Sequence, residues 1–247
     1  MTRSELVKKS ILLIPSIAIM FGVIILLAKI LLAGSNHGAL NISEFIRKII
    51  SPDSVRMLIK TIPLFVLSIV FSFVFALLFS LPGHGRAGDM WFSLLHGVIL
   101  CMPVFLFFFL VLLLFSSVLK LVPSGGIYDE LSYIAPAFGL AFFFALYLSF
   151  KVRYHKSVDI KLSAGNFKKT LFYVFFLFSQ ECGIFMSLLL VTEFFFYSGG
   201  IGYELGQGIR SGNFLVISII FLYSCLVFII TRYLFSLFAF FTYKRDE

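Results

Sequence analysis

Phe214–Phe241 reads FLVISIIFLYSCLVFIITRYLFSLFAFF, an apolar run interrupted by one formal charge, Arg232. A helix needs about 20 such residues to cross the hydrocarbon core of a bilayer. Five further runs have the same character: Leu12–Ala33, Ile62–Leu81, Phe92–Leu119, Ile134–Phe150 and Leu171–Phe196. Continuous apolar runs exclude a transmembrane barrel, whose strands alternate in polarity. Helices are the only other structure that satisfies its backbone within lipid. The expected fold is therefore an all-α integral membrane protein with six transmembrane helices, the fourth of them the shortest. Composition agrees. Hydrophobic residues make up 60% and charged residues 13%, against about 45–50% and about 25% in soluble domains. There are too few polar residues to cover a water-facing surface, so lipid must be the solvent.

Basic residues set the expected orientation. One side collects Arg3, Lys8, Lys9, Arg86 and the basic loop 151–170, with Lys244 and Arg245; the other holds Arg47, Lys48, Arg56, Lys60, Lys120 and Arg210. The first side carries the excess, which predicts both termini in the cytoplasm. The net charge of +8 then reflects this bias and attraction to anionic lipid, and no nucleic-acid partner is expected. The N-terminal MTRSELVKKS leads into a run too long for a cleaved signal, so it reads as a retained first helix. Cys101, Cys182 and Cys225 all fall within spans, which argues against a disulfide framework or a metal site.

The connections read as loops and turns. Residues 34–60 form an outer segment with a short amphipathic helix, Ile42–Ile50, stopped by Pro52. Residues 82–91 form a tight cytoplasmic turn, 120–133 an outer loop turning at Pro123–Gly126, and 197–213 a glycine-rich outer loop. Pro15 and Pro103 should bend their helices. No G-x-x-x-x-G-K-[ST], H-E-x-x-H or G-x-S-x-G pattern occurs, and His37, His84, His96 and His155 are scattered. The chain is therefore expected to be no enzyme and to hold no metal or other cofactor. Inside the spans the ionisable groups are Lys29, Glu181, Arg232 and, near the outer end, Glu193. These residues alone indicate a polytopic transporter or channel subunit, and an ion-coupled carrier using Glu181 and Arg232 as a relay stays open.

Four segments in order go further. They are Ile59-Lys60-Thr61-Ile62-Pro63, Met102-Pro103-Val104-Phe105, Leu121-Val122-Pro123-Ser124-Gly125-Gly126, and Glu193-Phe194-Phe195-Phe196-Tyr197-Ser198-Gly199-Gly200-Ile201-Gly202. They resemble R-L-P-N-T, L-P-S-F, W-L-P-S-G-G and E-T-V-F-S-W-P-G-L-G of the permease subunits of bacterial ABC importers, in the dipeptide, oligopeptide and nickel branch. From residue 57 onward the chain is similar to that family. It departs at the cytoplasmic signature E-A-A-x-x-x-G, of which only Asp159 and Gly165 keep the character, and Gly199 stands for a proline.

The resemblance implies the type I importer permease (MetI-like) fold, with residues 1–60 supplying a first helix and outer segment and 61–247 a five-helix permease core. It implies a transport subunit of the bacterial cytoplasmic membrane, importing peptides or nickel. The expected partners are a homologous second permease, an extracytoplasmic solute-binding protein and two cytoplasmic ATPases, which use the ATP. It places ATPase coupling on loop 151–170, at Asp159, Ala164, Gly165 and Lys168. It places the outer mouth of the pathway at Glu193, Gly200 and Gly202.

Glu181 and Arg232 both lie about 14–15 Å deep from the same face at about 1.5 Å per residue, and a buried charge needs a partner. They are expected to form an ion pair. The coupling assignment makes a second expectation: a glycine in a sharp docking turn admits no β-branched side chain. Gly165→Val should leave the protein in the membrane and uncouple ATP hydrolysis from uptake, as measured by both rates in vesicles.

Overall fold

The computed structural model describes residues 47–80, 86–120, 130–158 and 167–244, with Gly22. The expected first helix, Leu12–Ala33, thus lies outside the described residues, Gly22 apart, as does the Pro123–Gly126 turn. The described residues are mostly helical, with short turns between the helices and no strand among them. We label the helices α1 Pro52–Ser80, α2 Arg86–Cys101, α3 Val104–Leu113, α4 Ile134–Val158, α5 Phe167–Phe195, α6 Ile201–Ser211 and α7 Phe214–Lys244. The segments Pro52–Ser80, Ile134–Tyr154, Phe167–Phe195 and Phe214–Thr242 are long and apolar enough to cross a membrane. The pair Ser93–Ile99 and Val104–Val118, bent by 102°, makes a fifth span if counted as one. The chain is a multi-pass membrane protein.

Helix α1 begins well before the predicted apolar run. Ser51 accepts a hydrogen bond from the Ser54 N–H at 3.4 Å, Pro52 occupies the first helical position, and Asp53 lies in the first turn. Hydroxyl, proline and acid are the ordinary signals of a helix start. Arg56 and Lys60 therefore sit on the helix and not in a loop. The buried side of α1 is a row of small residues, Ser68, Ser72, Ala76 and Ser80, each one turn after the last. It packs against α4, whose own buried face includes Ala137, Ala141 and Ala145. Small side chains let two backbones approach closely, the usual source of helix affinity where lipid supplies no hydrophobic drive. Val66, Val70, Val74 and Leu78 face outward.

The third predicted run, Phe92–Leu119, breaks in two at Met102–Pro103. Pro103 has φ −55° and ψ 132°, outside the helical region. Its ring lacks an N–H and clashes with the preceding turn, so α2 ends and α3 starts in a new direction. The predicted turn 82–91 is also shorter, because α2 begins at Arg86. Past α3, Leu114–Val118 forms a π-helical turn.

Helices α5 and α7 pack along each other, and aromatic rings join them to α1 and α4. Phe178 lies 4.2 Å from Phe235, 5.2 Å from Phe73 and 5.2 Å from Phe144, ring centre to ring centre. The rings thus fill the centre of a four-helix interface. The fourth span outruns its predicted end at Phe150: α4 continues to Val158. Lys151 and Arg153 halted the apolar reading, yet both are engaged. The Arg153 guanidinium donates to the Phe79 carbonyl at 2.9 and 2.6 Å, capping the end of α1. The connection between α4 and α5 shrinks to 159–166, outside the described residues.

The small-residue seam makes a direct prediction. Ser72→Leu would force a large side chain between α1 and α4 at a cost of about 1–3 kcal/mol. It should lower the thermal midpoint of the detergent-purified protein, whereas Val70→Leu, on the exposed face, should leave it unchanged.

Candidate functional site

The glycine-rich segment expected to be a loop is mostly helix. After α5 the chain turns through Tyr197, at φ 52°, and Gly199, at φ 68°, then enters α6 at Ile201. The first N–H groups of any helix lack partners within it. Here Gly200 holds the N-cap position without a side-chain bond. Neighbouring helices supply the acceptors. Glu193, fully buried in the last turn of α5, accepts from the Gly202 N–H through Oε2 at 2.6 Å. Thr61 of α1 accepts from the Ile201 N–H through Oγ1 at 2.9 Å and donates to the Met57 carbonyl at 3.3 Å. A carboxylate at this end also complements the helix dipole. Three helices are fastened at one point.

The glycines serve close approach. A Cβ on Gly200 would stand 2.0 Å from Glu193 Oε1 and 2.6 Å from Thr61 Oγ1; one on Gly202 would stand 2.2 Å from the Leu190 carbonyl oxygen. No side chain fits at either position. Gly206 meets the Phe194 ring in the same way, at 2.2 Å. Lys60 extends its ammonium over Gly199, 2.9 Å from where a Cβ would lie. Tyr133, in the turn before α4, completes the surroundings. Burial, and after it the charge of Glu193, raises its phenol above the ordinary value. Of the predicted residues, Glu193, Gly200 and Gly202 are thus brought together, in a latch closed to solvent. Thr61 and Lys60 were not singled out as its partners, although both stand in the quoted Ile59–Pro63 motif.

A second charged cluster differs from expectation. Glu181 pairs with Lys151, and the Tyr147 hydroxyl donates to its other oxygen at 2.9 Å. The Lys151 ammonium also sits over the Tyr147 ring, 4.9 Å from its centre. The expected Glu181–Arg232 pair does not form. Depth placed them at one level, but azimuth separates them. On α5 it is Phe178 and Cys182 that turn toward α7, the Cys182 thiol reaching the Phe228 carbonyl at 3.8 Å. Glu181 turns instead to α4, which extends far enough to present Lys151. Arg232 is exposed on α7.

The predicted coupling residues Asp159, Ala164 and Gly165 lie outside the described residues. Lys168 is exposed in the first turn of α5. Among the described residues no three His, Cys, Asp or Glu side chains gather as metal ligands. No protein-family model matches the sequence, and no curated protein is found similar to it.

Two outcomes follow from the geometry. Gly202→Ala, which drives a methyl into the Leu190 carbonyl, should destabilise the fold by about 1–3 kcal/mol, read as a lower thermal midpoint. In the Lys151–Glu181 cluster, Lys151→Gln alone should lower the midpoint more than the double change with Glu181→Gln, because the single change strands a charge among helices.

Proposed function

We propose that this protein is a permease subunit of an ATP-driven ABC importer of a bacterial cytoplasmic membrane, carrying peptides or nickel. In this reading six spans, with both termini in the cytoplasm, form one half of a pathway completed by a second, homologous permease. Two cytoplasmic ATPases drive it, and an extracytoplasmic binding protein delivers the solute. The observation that carries the proposal is the latch. The motif Glu193–Gly202, picked out by its likeness to the importer permeases, builds a defined object, a short helix between the last two spans pinned by the motif's own acid. The Ile59–Pro63 motif supplies the other pin through Thr61. Two segments chosen for one resemblance thus meet in space, 140 residues apart in the chain.

The short connection 159–166 between two long helices suits docking to an ATPase, and the basic residues on either side suit the headgroup level. The chain supplies a path and two-state helices and performs no bond chemistry. The other reading, an ion-coupled carrier, relied on a Glu181–Arg232 relay. Glu181 pairs with Lys151 and not with Arg232, which does not favour that relay.

The test is direct. A cysteine placed at residue 162 should crosslink to a co-expressed ATPase encoded beside this chain, and uptake into vesicles should require ATP. Uptake that follows an ion gradient without ATP, or a purified complex with no ATPase, would overturn the proposal.

A further inference from the structure

Helix α1 turns its polar side inward. Val55, Ile59, Ile62, Val66, Val70 and Val74 are exposed on its outward face. Its buried residues are Ser54, Thr61, Leu64, Ser68, Ser72, Ala76 and Ser80, five of the seven bearing a hydroxyl. Close packing accounts for the small size of this row and not for its oxygens, since alanine is as small and carries none. The inward side lies on α4: the Phe75 ring stands 5.6 Å from Phe138, and the Phe79 ring 5.8 Å from Phe142, centre to centre. Ser68 and Ser72 occupy the same side of α1 in the two turns before Phe75.

Hydroxyls elsewhere in the spans bond within their own helices. Ser149, Thr192, Ser218, Ser224 and Thr231 each donate to the carbonyl four residues back. Ser68 and Ser72 do not. Both are fully buried, and neither Oγ has a hydrogen-bond partner among the described residues. The small buried residues of α4, Ala137, Ala141 and Ala145, bring no side-chain acceptor. A buried hydroxyl without a partner is costly, and alanine at both positions would close the seam without that cost. The two hydroxyls are met when the seam opens to water or to a polar group, the usual setting of polar side chains inside a membrane bundle.

We propose that α1 and α4 part along this seam during transport, and that Ser68 and Ser72 then line the path of an uncharged, hydrogen-bonding part of the solute, the amide backbone of a peptide. A hydroxyl both donates and accepts, so it answers the N–H and the C=O of an amide alike. Residues 61–80 and 134–150 contain no Asp, Glu, Lys, Arg or His. Such a seam offers a bare divalent cation neither carboxylate nor imidazole, so of the two cargoes named above it suits the peptide. The rings of Phe75, Phe79, Phe138 and Phe142 close the end of the seam nearer Ser80 in the state described. The proposal rests on the transport reading above and deepens it.

The full chain is expressed with its native partners and studied in membrane vesicles. Ser68→Cys, Ser72→Cys and, on the outward face, Val70→Cys are made separately. Labelling by 2-trimethylammonioethyl methanethiosulfonate is counted above that of the unchanged chain, at rest, with ATP, and with an ion gradient in place of ATP. Ser68→Cys and Ser72→Cys should resist the reagent at rest and react about tenfold faster or more once energised, since a minor open state is commonly populated to about 10% or less. Val70→Cys should stay unreactive throughout. No labelling of either serine position under any condition overturns the proposal, and so does equal labelling at Val70→Cys. The double change Ser68→Ala with Ser72→Ala should leave the thermal midpoint unchanged or higher, while uptake of a labelled mixture of short peptides falls about fivefold per hydroxyl, the worth of one hydrogen bond. Undiminished uptake, or a lowered midpoint that accounts for the loss, would give the hydroxyls no part in the path and overturn it. Uptake of nickel ion and not of peptides overturns the class of solute. Labelling that follows the ion gradient and not ATP would sink the importer reading and leave the parting of the seam standing.

Discussion

The hydrogen bond from the Gly202 N–H to Glu193 fixes the most exacting part of this structure. A helix start exposes N–H groups that water would ordinarily satisfy. At α6 these groups are buried, so protein must supply the acceptors. Glu193 and Thr61 do so from two different helices. The same arrangement dictates its glycines: an acceptor near enough to cap leaves no room for a Cβ at Gly200, and α6 lying against Leu190 leaves none at Gly202. The acid, the hydroxyl and the two glycines therefore form a single requirement. Change of one removes the reason for the others.

Elsewhere the chain uses two ways of holding helices together where lipid is the solvent. Between α1 and α4 the means is closeness, a seam of serine and alanine that brings the backbones near. Between α5 and α7 the means is bulk, with Phe178 surrounded by the rings of Phe73, Phe144 and Phe235. The first gives dispersion contact between main chains, the second between side chains. Polar links add to these, with Arg153 on the Phe79 carbonyl at the end of the α1–α4 seam and Lys151 on Glu181 between α4 and α5. There they fix rotation that greasy surfaces leave free.

Much of the fold was legible as hydropathy. The last run was read as Phe214–Phe241 and forms Phe214–Lys244; the fifth was read as Leu171–Phe196 and forms Phe167–Phe195. What failed did so for definite causes. Lys151 and Arg153 ended the apolar pattern of α4 but not its helix, because their charges are answered by α5 and α1. Glycines at 202, 206 and 208 read as loop by intrinsic propensity; packing against Leu190, Phe194 and Ile217 overrides that. The site was half legible. Glu193, Gly200 and Gly202 stood out in sequence, while Thr61 could not be linked to them by spacing. The Glu181 partner was misassigned because residue counting gives depth along a helix and says nothing of the side of the helix on which a residue lies.

Helix α1 is fastened at two points, at Thr61 to the start of α6 and at Phe79 to Arg153 of α4. About 27 Å of rigid helix separates the two fastenings. A rod clamped in this way does not absorb axial displacement; it delivers it. The end of α4 at Arg153 and the α6 cap at Thr61 are thus linked through one helix. Pro63 lies just inside the Thr61 fastening and frees the carbonyl one turn before it, so compliance is concentrated beside the clamp and the long shaft stays stiff. The two faces of the bundle thus share one helix, held at one face by Arg153 and at the other by the cap of α6.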